Sequence, residues 1–210
     1  MSRLKYFDTP PAAEDETEGR RGRKKRATAH RIFKSAIELM QKDGYHGVSI
    51  EQICKRADVA RATFFQHFAN KAALMGVFTD IVRKRIETEL AMETVTPIDQ
   101  LRHIVDHLQR LTDEMGPVSA DMLTAFIAEP GNDFRIDDPE AGIAQLIVPI
   151  IEIGQSDGTF AQHWSPNDVA ISLVSSWVGV ARRNTICPDP SNGGPLNRVL
   201  DLILNGLIER

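Results

Sequence analysis

Cysteine is nearly absent: the 210 residues hold two, Cys54 and Cys187, with no CxxC or Cys/His spacing beside them. That disfavours a disulfide framework and a structural zinc site, and both thiols read as small buried apolar groups. Long hydrophobic runs are missing too. No stretch approaches the roughly 18 to 20 apolar residues of a membrane span, and the N-terminus carries no apolar leader segment, so a cytoplasmic protein with no membrane partner is expected. Signatures of catalysis are equally scarce. HExxH, GxGxxG and GxxxxGK(S/T) do not occur, and without a metal set or phosphate-cradling glycine loop neither an enzyme nor a cofactor is expected.

What the chain does have is an uneven distribution of charge. Between Arg20 and Lys71 stand thirteen lysines and arginines against four acids, so a net +9 there leaves −13 for the rest of a chain whose total is −4. A basic N-terminal module on an acidic body has a polyanion as its natural partner, a point that the overall pI near 5.9 averages away. Residues 1–19, with "TPPAAEDETEG", are poor in apolar groups and read as a disordered acidic tail. The run "RRGRKKR", Arg20 to Arg26, follows.

From Ala27 the apolar positions Ile32, Phe33, Ala36, Ile37, Leu39 and Met40 recur at helical spacing, and Asp43-Gly44 supplies a stop. Ser49 precedes a second periodic segment and Gln52 lies three residues on, the spacing of a capping box. A helix from about Ile50 to Arg56 is therefore expected, closed by Asp58, which tolerates a left-handed turn better than most residues. A third helix fits Ala60 to Phe68, with Val59, Phe64 and Phe68 inward and Arg61, Ala62, Thr63, Phe65, Gln66 and His67 wholly or partly outward. Two short helices joined by a tight turn and braced by a longer one make a helix-turn-helix, whose second element fits a DNA major groove.

Across Ala27 to Leu74 the sequence closely resembles the TetR family of bacterial transcriptional regulators: Gly44, Ser49, Ile53, Ala57, Val59, Thr63, Phe68, Lys71 and Leu74 fall in its register. The departures are Asp58 for the usual turn glycine, Ala60 for a serine cap and Phe65 for a tyrosine. The resemblance implies that Arg61, Ala62 and Gln66 face base edges, where Arg pairs with guanine and Gln with adenine. It implies that Ser49, Thr63, His67 and Lys71 hold the backbone, with Phe65 limited to packing against sugar or a thymine methyl. Arg23, Lys24, Lys25 and Arg26 would then form a flexible arm on phosphate or in the minor groove. The resemblance implies a DNA-binding domain over 20–70 and a ligand-binding and dimerisation domain over 71–210.

The acidic body reads as all-α, making nine helices in total. Thr96-Pro97, Asp138-Pro139 and Ser165-Pro166 each place proline directly after a capping residue. They open helices near Pro97 to Met115, Pro139 to Ser156 and Pro166 to Ile186, and further helices fit Asn70-Lys71 to Met92, Pro117 to Ala128 and Pro195 to Glu209. Pro149 is expected to bend the helix that holds it. The last helix is apolar nearly all round and must be covered on both sides, either inside one core or, as the resemblance implies, in a homodimer interface. Leu173, Ser176, Trp177, Val180, Leu200, Ile203 and Leu207 are its candidates. The resemblance also implies a cavity for a small-molecule effector, with Phe78, Ile81, Ile104, Val105, Leu108, Leu123, Phe126, Ile127, Leu146, Ile147 and Ile150 as candidate lining. His103 and His107 share a helix face, but that face is far from the apolar stripe of its helix, so both are expected in solvent and no metal is expected. The function implied is a ligand-responsive repressor binding a palindromic double-stranded operator as a homodimer; an activator of the same family or a non-specific DNA-packaging protein would share the basic module.

Overall fold

The computed structural model describes residues 19–91, 95–128, 142–186 and 194–207. Among them are nine helices and no strand: α1 (Arg20–Asp43), α2 (Ile50–Ala57), α3 (Arg61–His67), α4 (Leu74–Leu90), α5 (Pro97–Met115), α6 (Pro117–Ala128), α7 (Ala144–Ser156), α8 (Pro166–Ile186) and α9 (Pro195–Leu207). Two compact units emerge. One holds the described residues up to Arg85 together with α6; the other holds Ile86–Gly116 and the described residues from 142 onward.

In the first unit α2 packs against both α1 and α3. Ile32, Phe33, Ala36, Ile37 and Met40 of α1 are buried, as are Ile53, Phe64 and Phe68, with solvent almost excluded from all of them. The caps are those the sequence announces. Ser49 Oγ accepts the Gln52 N–H at 3.2 Å while Gln52 Oε1 accepts the Ser49 N–H at 2.7 Å, and Asp58 closes α2 in the left-handed region at φ 51°, ψ 56°. Ala60 caps α3 with no side-chain hydrogen bond, and α3 is held instead by Phe64, fully buried beside Phe68 at 5.4 Å between ring centroids.

Helix boundaries differ from the sequence reading in several places. Arg20 to Arg26 belongs to α1 rather than to a flexible arm. Arginine and lysine are good helix formers, and α1 simply continues back along them, Thr28 Oγ1 donating to the Lys24 carbonyl at 3.0 Å. α4 begins at Leu74, not at Asn70-Lys71, because Asn70 Oδ1 takes the Ala73 N–H at 2.8 Å and holds a turn ahead of it. It ends at Leu90, and the expected end at Met92 lies outside the described residues, as do the acidic tail before Gly19, Asp138-Pro139, Cys187 and the chain beyond Leu207.

In the second unit α5 packs on α7 and α9, and α8 on α7 and α9. α5 starts as expected, with Thr96 Oγ1 accepting the Asp99 N–H at 3.2 Å ahead of Pro97. Pro149 is carried within α7. Two polar features lock α9 onto α5: the buried Gln109 takes the Leu196 N–H at 3.3 Å, and Asn197 Nδ2 donates to Asp106 at 2.8 Å. Arg102 adds an ion pair to Asp201 at 3.0 Å. No helix among the described residues is long and apolar enough to cross a membrane.

Candidate nucleic-acid interface

A seven-residue helix buries only one side chain fully, Phe64, so almost everything else on α3 is free to meet a ligand. Arg61, Ala62, Phe65 and Gln66 are exposed, while Thr63 and His67 are partly covered. The three residues read as base contacts thus share the open side of α3 with Phe65. Arg61 is not idle there. Its guanidinium pairs with Glu51 at the start of α2 and lies 5.6 Å from the Phe65 ring centroid. Both partners of the pair are more than half exposed, so the bond is a weak restraint that aims Arg61 rather than a source of stability. The Glu51 carboxyl is held below its ordinary range, first by the backbone N–H at the start of α2 and then by Arg61. Glu51, a carboxylate that would oppose phosphate, is therefore neutralised by a neighbour aimed at the same surface.

Ser49 is exposed, but its hydroxyl is engaged in the capping box. Its O–H lies within hydrogen-bonding reach of the Glu51 carboxylate, which it helps to hold ionised, and a hydroxyl can turn from there to donate to phosphate. His67 is partly buried; burial, then the nearby Lys25 charge, push its imidazole pKa below the usual value. Lys25 of α1 and His67 of α3 therefore lie within electrostatic reach of each other. Arg23, Lys24, Lys25 and Arg26 are all exposed on the first turns of α1, a helical basic stretch in place of the expected arm.

Lys71 has other employment than the expected phosphate contact. Its ammonium donates to the Tyr45 carbonyl at 2.7 Å and the Val48 carbonyl at 2.8 Å, and sits 4.2 Å from the centroid of the Tyr45 ring. Burial lowers its pKa. Lys71 thus ties the loop between α1 and α2, and with it the Ser49 cap, to the chain that follows α3. Nothing in local spacing marks this, because the partners lie 26 and 23 residues upstream.

The body residues divide. Of the expected effector lining, Phe78, Ile81 and Phe126 are buried in the first unit and Ile104, Val105, Leu146, Ile147 and Ile150 in the second; Leu108 and Leu123 are half-buried, and Ile127 is exposed, facing away from any core. Of the expected dimer residues, Leu173, Trp177 and Leu200 are buried within a single chain, since α8 and α9 already cover each other. Their role is core packing, which corrects the reading of them as interface. Ser176 is exposed, Val180 and Ile203 are half-buried, and the Leu207 side chain lies outside the described residues. Among the described side chains of α9 the most open apolar group is Leu202, 75% exposed, beyond the reach of a pattern that counts every apolar position alike.

His103 and His107 also depart from expectation. His107 is buried and His103 half-buried, and both ring systems converge on one oxygen of Glu89. α5 is flanked by α7 and α9, so its covered surface is far wider than the Leu101, Val105, Leu108 and Thr112 stripe: Ile104, His107, Gln109 and Leu111 are buried as well.

Comparison with known proteins gives this geometry a context. The family profile described as "Bacterial regulatory proteins, tetR family" matches residues 32–76, which run from α1 through α3 into α4. The chain is 24% identical over 186 residues to the HTH-type transcriptional repressor DhaR of Mycobacterium sp. (strain GP1), covering 84% of this chain and 90% of DhaR. It is 40% identical over 57 residues, 27% of this chain and 29% of the relative, to a Mycobacterium tuberculosis protein described as the putative mycofactocin biosynthesis transcriptional regulator MftR. In fold it is similar to the Thermus thermophilus repressor FadR, solved with lauroyl-CoA, at a TM-score of 0.65 and 24% identity over 87% of this chain and 96% of that one.

Proposed function

From a chain that belongs to the TetR family of bacterial regulatory proteins and is accordingly a transcriptional regulator rather than an enzyme, we propose a repressor that binds a palindromic operator as a homodimer and is released by a small, mostly apolar effector. The observation that carries this reading is the open side of α3. Arg61, Ala62 and Gln66 are exposed on a helix pinned by Phe64 and Phe68, and a pair of hydrogen bonds from Arg to guanine or Gln to adenine discriminates by about 1 to 3 kcal/mol. Around it Thr63, His67, the Ser49 hydroxyl and the basic first turns of α1 supply phosphate contacts, which set register without reading sequence. Phe65, more than a third exposed, offers an apolar face to sugar or a thymine methyl.

Repression rather than activation is supported by DhaR, a named repressor matched over most of both chains. An apolar effector is supported by the aliphatic character of Ile104, Val105, Leu146, Ile147 and Ile150 and by the lauroyl-CoA held by the Thermus thermophilus protein. A second copy follows from the operator: two reading helices one DNA turn apart need a two-fold axis. The exposed Ser172, Ser175, Ser176 and Gly179 of α8 and Leu202 of α9 offer the surface for it. The test is selection of bound fragments from random DNA by the full chain. Inverted repeats with centres about 10 bp apart, released by an acyl or other apolar small molecule, are expected. Fragments with no common sequence would mean a non-specific binder.

A further inference from the structure

Glu89, His103 and His107 come together in the second unit from two different helices, the end of α4 and the middle of α5. Glu89 Oε2 is 3.0 Å from His103 Nε2 and 3.2 Å from His107 Nδ1, and the three donor atoms lie within 4.8 Å of one another. We propose that these three side chains bind a divalent first-row transition metal ion of the zinc type, at a site with three protein ligands and an open position.

The argument starts from spacing. A zinc ion sits about 2.0 to 2.2 Å from imidazole nitrogen and carboxylate oxygen, so donors on a tetrahedral ion stand about 3.3 Å apart and donors on opposite sides of an ion about 4.2 Å apart. The two Glu89 edges already have nearly the first value, and the histidine pair needs only a small closing of the side chains. Histidines at i and i+4 lie one turn apart on one face, so one helix can direct two imidazoles at one ion.

Burial strengthens the case. The His107 side chain is 5% exposed, His103 26% and Glu89 33%, so the ion would be screened from bulk water on one side and reachable on the other. Two neutral imidazoles and one carboxylate carry a single negative charge, and the set is of the kind zinc takes with three protein ligands and one water. Without a metal the same atoms make a carboxylate that accepts two imidazole N–H bonds. Metal entry displaces those protons, which makes binding pH-dependent and lets the two arrangements be told apart.

A metal here would clamp Glu89 of α4 to His103 and His107 of α5. The open position would take water or an oxygen donor from a small molecule. The proposal concerns metal binding alone and does not depend on whether the chain recognises DNA.

The experiment uses the full chain stripped with a chelator, then titrated with Zn2+ by calorimetry and with Co2+ by visible absorption. Expected are one Zn2+ per chain, a d–d band of four- or five-coordinate Co2+, and displacement of that band by Zn2+. Binding should weaken at least about tenfold to a hundredfold in His103→Gln and Glu89→Gln, since even losses in the surrounding shell of a metal site reach that size. His103 lies at the exposed side, so His103→Gln is the variant expected to keep the fold, which circular dichroism verifies; the wild-type Co2+ spectrum needs no variant at all. A stripped wild-type chain that gives only six-coordinate Co2+, or binds Zn2+ no more tightly than His103→Gln, would overturn the site.

Discussion

Replacing Lys71 by methionine separates two roles that the same residue could play. In the structure its ammonium makes hydrogen bonds of 2.7 and 2.8 Å to the Tyr45 and Val48 carbonyls and lies against the Tyr45 ring. Hydrogen bonds from a charged donor contribute about 1.5 to 3 kcal/mol each and a ring contact of this kind about 0.5 to 1. Lys71 is only partly buried, so water reaches the abandoned carbonyls and methionine retains the packing of the stem. The net loss comes to about 2 to 4 kcal/mol. For a chain of this size each kcal/mol moves the melting temperature by about 2 to 4 °C. Thermal and urea unfolding should therefore show a clear fall in stability. Well below that transition, the salt dependence of operator binding should keep its slope, because a residue that does not neutralise phosphate releases no counterion. If instead the melting temperature stays put while the slope of log K against log salt drops by about 0.9, Lys71 is a phosphate ligand and the loop-tying reading fails.

Other substitutions probe the remaining elements. A side chain at Gly154 would run into the ring of the fully buried Phe160, so Gly154→Val should cost about 1 to 3 kcal/mol in urea unfolding by overpacking, with little effect on α3 and its contacts. His30 is half-buried, and burial followed by the Lys34 charge lowers its imidazole pKa from 6.5. The unfolded chain then binds the proton more readily, so stability should fall as pH drops below about 6.5, less steeply in His30→Gln; an equal slope in both would clear His30 of any part in it. Leu202→Glu, on the open side of α9, should shift sedimentation from dimer towards monomer while the far-ultraviolet spectrum stays that of a folded helical chain.

Features governed by neighbours along the chain are legible in the amino-acid order alone. The Ser49–Gln52 box, the Asp58 turn and the Thr96-Pro97 start depend on residues three or four apart, and each takes its expected form. Phe64 and Phe68 can be placed inward because α3 has only one side to bury. Contacts set by distant chain are not legible in this way. Lys71 has the pattern of an exposed cation because Tyr45 and Val48 lie far upstream, and Leu173, Trp177 and Leu200 have the pattern of an interface because periodicity does not say whether a partner helix belongs to the same chain. His103 and His107 defy expectation for a related reason: a wheel drawn for one helix has no knowledge of α7, α9 or Glu89. The basic run at Arg20 to Arg26 suggests an arm by its charge, whereas α1 extends back through it.

Whether α3 reads base edges is measured by the affinity of Gln66→Ala for the selected operator and for random DNA at one fixed salt concentration. Loss of one paired contact in each of two half-sites, at about 1 to 3 kcal/mol apiece, should weaken operator binding by at least tenfold while leaving binding to random DNA nearly unchanged. An equal fall on both DNAs, or no fall on either, would contradict base reading by α3.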